Sequence, residues 1–291
     1  MDDGLPWRYL LVDVDGTLLT GRGEITPRSR AVLGRAVDAG LTLVLASGRT
    51  YPSLLRAGEG LELPFHLIAN GGAVGLTPRV EAVSYTNFLS PSLWPDIVEA
   101  LLAEGLSALA FSHRHPEPPL FYVASLQGHP HFEAYLGRHR ANCRVMGDLG
   151  AADIPAVVEV AALGSGDHFE AASARAMERM AGRAASHSMV LFLNANYGKI
   201  TEFFHPATSK WSAFQGMFPE AARRPQTVIA IGDEANDLDM IAGAGLGIAM
   251  GNATEELKAA AGHVTAGHDA EGLAEALEPL LDGKGGRAAR A

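Results

Sequence analysis

Cysteine and cationic side chains are both scarce in this sequence. Cys143 is the one cysteine among 291 residues, so an intramolecular disulfide is excluded and a reducing compartment is favoured. We expect Cys143 to be a buried apolar residue rather than a nucleophile. Lysine and arginine number 23 against 33 aspartates and glutamates, which gives a net charge of −10. That balance argues against a nucleic-acid partner and against docking on an anionic membrane, so an anionic ligand would need a bound metal or a local cation.

Long apolar runs are also absent. The N-terminus begins with acidic residues and has no hydrophobic signal region, and no run approaches the length of a membrane span. We therefore expect a cytoplasmic location. The chain is nevertheless 47% hydrophobic and 19% charged, which predicts a packed core rather than disorder. Its length favours about two domains.

The most informative stretch present is Asp13-Val14-Asp15-Gly16-Thr17. It follows the apolar run Tyr9–Val12, which predicts a buried strand. Gly16 permits a sharp turn directly after the two carboxylates. Because ligands of open α/β sheets bind at the carboxyl ends of the strands, this pair of acids lies where a site is expected.

Three later stretches also contain polar or charged residues beside a predicted strand or helix. Ser47-Gly48-Arg49 follows the apolar run Leu41–Ala46. Gly232-Asp233-Glu234-Ala235-Asn236-Asp237 follows the run Val228–Ile231. Between them in the sequence, Lys210 lies in Thr208-Ser209-Lys210-Trp211, at the start of a predicted helix from Ser209 to Phe218.

In this order, the four stretches resemble the four motifs of the haloacid dehalogenase superfamily of phosphotransferases. The closer match is to its Cof-like branch, the subfamily IIB phosphatases of sugar phosphates and small metabolites. The resemblance covers residues 8–80 and 205–280 well and the middle of the chain in outline. Each motif alone is weak, whereas the set of four is highly specific.

The resemblance implies a catalytic pair of aspartates. Asp13 would attack the phosphoryl group and form an aspartyl-phosphate. Asp15 would protonate the departing alkoxide and later deprotonate the hydrolytic water. An acid at position 15 favours rapid hydrolysis of the intermediate and hence a phosphatase. Related ATP-driven pumps have threonine there, and haloacid dehalogenases lack this second acid.

The resemblance also implies a Mg²⁺ site. Asp13, the backbone carbonyl of Asp15 and Asp233 would be ligands, because Mg²⁺ is a hard ion that suits oxygen donors. Asn236 and Asp237 would be further ligands or partners of the lysine in the third motif. Asp237 would in addition benefit from the dipole at a helix N-terminus.

The phosphoryl group would be bound by Ser47 through a hydrogen bond and by Lys210 through charge. Trp211 departs from the small residue that commonly follows this lysine, without altering the role expected for it. Further substrate contacts are expected from Gly48, Arg49, Asn70 and Gly71.

The middle of the chain predicts an inserted domain. Residues 1–82 and 206–291 alternate strand and helix signals, which indicates a doubly wound, mostly parallel Rossmann-like core sheet. Residues 83–205 predict an α+β cap domain that would select the substrate. Within it, Arg114 and Lys199 are the first candidates for substrate contacts, although an exposed surface position is the ordinary state of such residues.

Three local patterns complete the prediction. Thr26-Pro27 begins a helix that runs to about Ala39, with Gly40 after its end. Residues 16–26 suggest a small hairpin or flap. Gly243-Ala244-Gly245-Leu246-Gly247-Ile248 superficially resembles a dinucleotide fingerprint, but its glycines precede a strand and the third is missing, so we read it as a helix-to-strand connection.

The sequence thus predicts a Mg²⁺-dependent phosphatase that acts on a small phosphorylated metabolite, with a sugar phosphate as the first candidate. Two alternatives stay open: a sugar phosphomutase similar to phosphomannomutase, and a non-catalytic regulator that binds a metabolite. The expected state is a monomer or a homodimer.

Overall fold

The computed structural model describes residues 5–77, 82–113, 120–124, 130–147, 149, 153–193 and 196–283. The chain forms two compact units. The core unit combines the segment that ends at Tyr85 with the segment that starts at Ser209, and the inserted unit is Thr86–Thr208.

The core unit is built on an 8-stranded sheet. From edge to edge it contains β14 (His263–Val264), β13 (Leu246–Ala249), β12 (Val228–Gly232), β1 (Tyr9–Asp13), β2 (Thr42–Ala46), β3 (His66–Ala69), β4 (Val74–Thr77) and β5 (Ala82–Thr86). The strands from β14 to β3 run parallel, and β4 turns back antiparallel to β3. The predicted α/β core with a mostly parallel sheet is therefore confirmed.

The order of the strands reverses at β1. After β1 the chain moves outward through β2 and β3, and after the inserted unit it returns to pair β12 with the other side of β1. The carboxyl ends of β1 and β12 therefore lie at a topological switch point, the usual position of a ligand site in such sheets.

Helices cover this sheet. They are α1 (Pro27–Asp38), α2 (Tyr51–Glu59), α6 (Lys210–Met217), α7 (Pro219–Arg223), α8 (Leu238–Gly243), α9 (Glu255–Ala260) and α10 (Gly272–Leu281). The inner strands β1, β2, β3, β12 and β13 are buried on both faces, which explains their unbroken apolar runs. Val44 joins the cluster that contains Phe214 of α6, while the neighbouring Leu45 lies against Gly58 of α2.

Side-chain caps fix the helix starts that position the site. Thr26 accepts a hydrogen bond from the backbone N–H of Ser29, as the Thr26-Pro27 pattern predicted. Ser209 and Ser212 form a reciprocal capping box at the start of α6, so the first residue of that helix has a fixed orientation.

The inserted unit is an α+β layer with its own 6-stranded sheet. In sheet order it contains β10 (Ala185–Leu193), β11 (Asn196–Phe204), β9 (Val157–Gly164), β6 (Ala108–Ser112), β7 (Leu120–Ala124) and β8 (Cys143–Met146), with helices α3 (Leu93–Ala103), α4 (Pro130–His139) and α5 (Gly166–Met180). Apolar residues of α3 and α5, among them Ile97, Leu101 and Phe169, share a buried cluster with Val160 and Phe203 of the sheet.

Some local expectations need correction. Residues 16–26 form turns and one isolated bridge between Asp15 and Leu19 rather than a strand hairpin, because the segment has no apolar alternation to pair. Cys143 is only partly buried on the edge strand β8. The glycine-rich segment is a helix-to-strand connection as predicted, since α8 ends at Gly243 and β13 begins at Leu246. Among the described residues, no helix is both long and apolar enough to cross a membrane.

Candidate active site

Four of the predicted site residues lie at the carboxyl ends of parallel strands of the core sheet. Asp13 is the last residue of β1, Ser47 follows β2, Asn70 follows β3 and Asp233 follows β12. Because these strands are parallel neighbours, their ends bring residues from distant parts of the sequence together.

Lys210 connects two of the carboxylates. Its ammonium nitrogen lies 2.6 Å from Asp13 Oδ1 and 2.5 Å from Asp237 Oδ1, and it donates to Asn236 Oδ1 at 3.1 Å. The lysine is 1% exposed. A buried ammonium must be paired, and these three acceptors satisfy its three donors.

Gly72 makes room for this lysine. It has φ +112°, and a Cβ built there would lie 2.1 Å from the carbonyl oxygen of Ser209, the residue before Lys210. A side chain at position 72 would therefore displace the start of α6.

Three carboxylates could hold a cation. Oxygens of Asp13, Asp233 and Asp237 lie within 4.8 Å of one another, and all three residues are buried. Asp237 Oδ2 also accepts the backbone N–H groups of Asp233 and Glu234, each at 3.0 Å, which fixes the loop after β12.

Burial has the largest effect on the pKa values of the two carboxylates Asp13 and Asp233. Burial is the main cause that raises the pKa of Asp13 well above its ordinary value, against the lowering effect of Lys210. Burial, followed by the nearby Asp237, raises the pKa of Asp233 to about 7. Burial alone would lower the pKa of Lys210, but Asp13 and Asp237 outweigh it and the net shift is upward. The lysine therefore stays charged, and a hard divalent cation would relieve the remaining repulsion.

Asp15 belongs to a neighbouring group instead. Arg49 donates to both of its carboxylate oxygens, through Nε at 2.7 Å and Nη2 at 2.6 Å. Ser47 Oγ donates to Asp15 Oδ2 at 3.3 Å and accepts the backbone N–H of Arg49 at 3.1 Å. The Asp15 side chain is 50% exposed, so a ligand can reach its carboxylate while Arg49 holds it.

The remaining predicted site residues lie in different parts of the chain. Gly48 lies between Ser47 and Arg49, and the backbone N–H groups of Asn70 and Gly71 donate to the carbonyl oxygens of Arg49 and Ser47. They thus support the loop after β2. Lys199 is part of the inserted unit, where it forms an exposed ion pair with Glu170 at 2.9 Å. Arg114 lies outside the described residues.

Two residues without an assigned role also reach the acidic cluster. Thr17 Oγ1 donates to Asp233 Oδ1 at 3.0 Å, and Asn252 Nδ2 donates to Asp233 Oδ2 at 3.1 Å. Thr17 lies within the first motif, so its position in the sequence could have indicated it. Asn252 follows β13, and the only signal for it is that β13 is the parallel neighbour of β12.

Comparisons with known proteins agree with this geometry. The family model described as haloacid dehalogenase-like hydrolase matches residues 10–117 and 166–277, more than half of the chain. The chain is 29% identical to a putative phosphatase of Haemophilus influenzae, over 94% of this chain and 97% of that protein. It is 26% identical to the Bacillus subtilis 5-amino-6-(5-phospho-D-ribitylamino)uracil phosphatase YwtE, over 95% and 99%. Its fold matches the solved structure of the HAD subclass IIB sugar phosphatase BT4131, with a TM-score of 0.73 and 19% identity over 93% and 98%.

Proposed function

Because this chain belongs to the haloacid dehalogenase-like hydrolases and is a phosphatase of that family, we propose that it hydrolyses a small phosphorylated metabolite with the help of Mg²⁺. A sugar phosphate is the first candidate. Relatives named as phosphatases of a phosphorylated ribityl compound and of a sugar phosphate support this class of substrate. The observation on which the proposal rests is the buried contact of Lys210 with Asp13 and Asp237, beside Asp233.

The carboxylate cluster fits a divalent cation. Asp13, Asp233 and Asp237 offer hard oxygen donors within 4.8 Å of one another, and a bound cation would offset the burial that raises the pKa values of Asp13 and Asp233. When bound, Mg²⁺ would neutralise charge on the phosphoryl oxygens and allow an anionic ester to approach these carboxylates.

Asp13 is the nucleophile in the proposed reaction. Since Oδ1 accepts a hydrogen bond from Lys210, we assign the attack on phosphorus to Oδ2. The P–O bond to the substrate oxygen breaks as the Asp13–phosphorus bond forms, and Asp15 transfers its proton to the departing oxygen. Water then attacks the aspartyl-phosphate, Asp15 takes the proton from that water, and inorganic phosphate leaves with Asp13 regenerated.

The other motif residues stabilise charge. Lys210 is held as an ammonium beside Asp13, close to the developing negative charge. Ser47 would turn its hydroxyl from Asp15 to a phosphoryl oxygen. Asn236 uses its carbonyl oxygen for Lys210, which leaves its amide nitrogen as a donor suited to an anion rather than to a metal. The inserted unit would select the substrate.

The test is phosphate release from a panel of phosphorylated metabolites, with Mg²⁺ and with a chelator. We expect Mg²⁺-dependent release with highest kcat/KM for a sugar phosphate. Similar kcat/KM values for all substrates would indicate a phosphatase of broad specificity. Isomerised sugar phosphate without free phosphate would replace the proposal by a mutase, and tight binding without turnover would replace it by a regulator.

Arg49 gives a separate prediction. Because its guanidinium holds Asp15 through two hydrogen bonds, replacing Arg49 with glutamine should disturb the orientation of the general acid. We expect kcat to fall about tenfold with little change in KM, since the lost effect concerns the transition state. Steady-state kinetics would measure both constants.

The control for Arg49 is Arg56→Gln, which removes an exposed arginine of the same helix region. This variant should behave like the wild type. A large rise in KM for Arg49→Gln with unchanged kcat would instead make Arg49 a substrate contact.

A further inference from the structure

Asn252 joins three segments around the acidic cluster. Its side-chain nitrogen donates to the carbonyl oxygen of Gly16 at 2.9 Å and to Asp233 Oδ2 at 3.1 Å. Its side-chain oxygen accepts the backbone N–H of His268 at 3.0 Å. One amide therefore links the turn after β1, the carboxylate after β12 and the loop before α10.

The two oxygens of Asp233 are each hydrogen-bonded by a neutral donor. Thr17 donates to Oδ1 and Asn252 donates to Oδ2. A carboxylate oxygen has two lone-pair sites, so each oxygen keeps one for a cation. Neither donor adds negative charge, and the amide nitrogen of Asn252 has no lone pair with which to bind a cation. The pair thus fixes the plane of the carboxylate and leaves it able to coordinate.

Space around Asp233 is tight on the side of Gly16. A Cβ at position 16 would lie 2.2 Å from Asp233 Oδ2, and Gly16 has φ +83°. The same residue presents its carbonyl oxygen to Asn252. The orientation of Asp233 is therefore coupled to the turn after β1 through both packing and the Asn252 amide.

A second hydrogen bond joins the turn after β1 to the loop before α10, the loop that contacts Asn252. The backbone N–H of Gly21 donates to Asp269 Oδ1 at 2.8 Å, next to His268. Gly251 N–H donates to the carbonyl oxygen of Ala266 at 3.0 Å. The Gly251 bond and the bond from the Thr254 N–H to the carbonyl oxygen of Asp233 at 3.0 Å hold the backbone on both sides of Asn252, so its amide meets Asp233 in one orientation.

We infer that Asn252 is a positioning residue for the cation site: it sets the orientation of Asp233 and thereby the affinity for the metal. This inference rests on the proposed function, since it assumes that the carboxylate cluster binds a divalent cation. Residues that hydrogen-bond to a metal ligand commonly change the affinity for the metal by about tenfold or more. Asn252 touches no reacting atom in the proposed mechanism, so its effect should be confined to metal binding.

The experiment measures Mn²⁺ binding to the metal-free full-length protein without substrate, from the electron paramagnetic resonance signal of free Mn²⁺. Asn252→Leu keeps a side chain of similar size but removes the donor and the acceptor. We expect the dissociation constant for Mn²⁺ to rise about tenfold. The alanine side chain of Asn252→Ala is too small to clash, and we expect this variant to lose the same affinity for Mn²⁺. The two variants together separate the loss of the hydrogen bonds from a folding defect of the leucine variant.

The matched control is Asn87→Leu. Asn87 donates its side-chain N–H to Thr208 Oγ1 at 3.0 Å within the inserted unit, a hydrogen bond of the same kind without a carboxylate. Its variant should bind Mn²⁺ like the wild type. At saturating Mn²⁺, kcat of Asn252→Leu should recover, which a general structural defect would not allow.

Two negative results are distinguishable. A wild-type protein with no saturable Mn²⁺ site would overturn the proposed metal dependence and this inference with it. A wild-type site that Asn252→Leu and Asn252→Ala retain at the same affinity would overturn the inference alone.

Discussion

Replacing Asp13 with asparagine should lower phosphate release by about a thousandfold or more, because the amide is a far weaker nucleophile than the carboxylate. The loss should not come from unfolding. Burial disfavours the ionised form of Asp13 and raises its pKa, so a neutral side chain of the same shape relieves repulsion within the cluster. We therefore expect the metal-free variant to be at least as stable toward urea as the wild type. Phosphate release at saturating substrate and Mg²⁺, together with urea unfolding, measures both effects.

Asp239→Asn is the matched control for Asp13→Asn. Asp239 is exposed on α8, two positions beyond Asp237, and its change should leave the rate as it is. If Asp13→Asn hydrolysed esters at the wild-type rate while Asp239→Asn did the same, the assignment of the nucleophile would be wrong. An inactive but unfolded Asp13→Asn protein would contradict the electrostatic argument.

Replacing Lys210 with methionine should damage both stability and activity. Methionine keeps much of the length but leaves Asp13, Asp237 and Asp233 buried together without their cation. Loss of one partner from a buried ion pair costs about 3–5 kcal/mol, which we expect in urea unfolding without divalent ions. Since Lys210 lowers the pKa of Asp13, its removal also favours the protonated nucleophile. With the loss of transition-state charge, kcat should fall at least about a hundredfold.

Lys258→Met provides the comparison for Lys210→Met. Lys258 pairs with Glu255 on the surface of α9, and such a pair contributes about 0.2–0.5 kcal/mol. A second variant tests the cause directly: Lys210→Met combined with Asp237→Asn should regain part of the stability, since one unpaired charge is gone, yet stay inactive. If the double variant were less stable than Lys210→Met alone, buried charge would not be the reason for the loss.

The sequence predicts the acidic centre well because its residues follow directly on strongly apolar strands. Asp13, Ser47 and Asp233 each come at or immediately after the end of a buried run, and parallel strands bring such ends together. The strands themselves were recognisable because both faces are buried and apolar residues are continuous. Two short strands are harder to predict. Val74–Thr77 contains a glycine, and Cys143–Met146 has two exposed residues, so neither has a clear pattern.

Side-chain pairing is the part that sequence patterns do not specify. Nothing in the local sequence indicates that Arg49 donates two hydrogen bonds to Asp15. This pairing depends on where two neighbouring strands end relative to each other and on the side-chain rotamers. Asn252 is 236 positions from Gly16 in the chain, and its contact with Asp233 needs the strand order of the whole sheet. The pairing of Lys199 with Glu170 likewise follows from how α5 packs on its sheet.

The split of the core unit around the inserted unit has a consequence for synthesis of the protein. Thr17 and Asp233 are 216 positions apart, and β1 pairs with both β2 and β12. Loop closure over such a separation makes the docking of β12 a late and slow folding event. A nascent chain that has left the ribosome only as far as β3 holds Asp13 on an unprotected strand edge, without the lysine that pairs with it. We therefore expect the chain to become active in a single late step, after Asp237 has been synthesised. Before that step the sheet is incomplete, and this is the form most prone to aggregate or to bind chaperones.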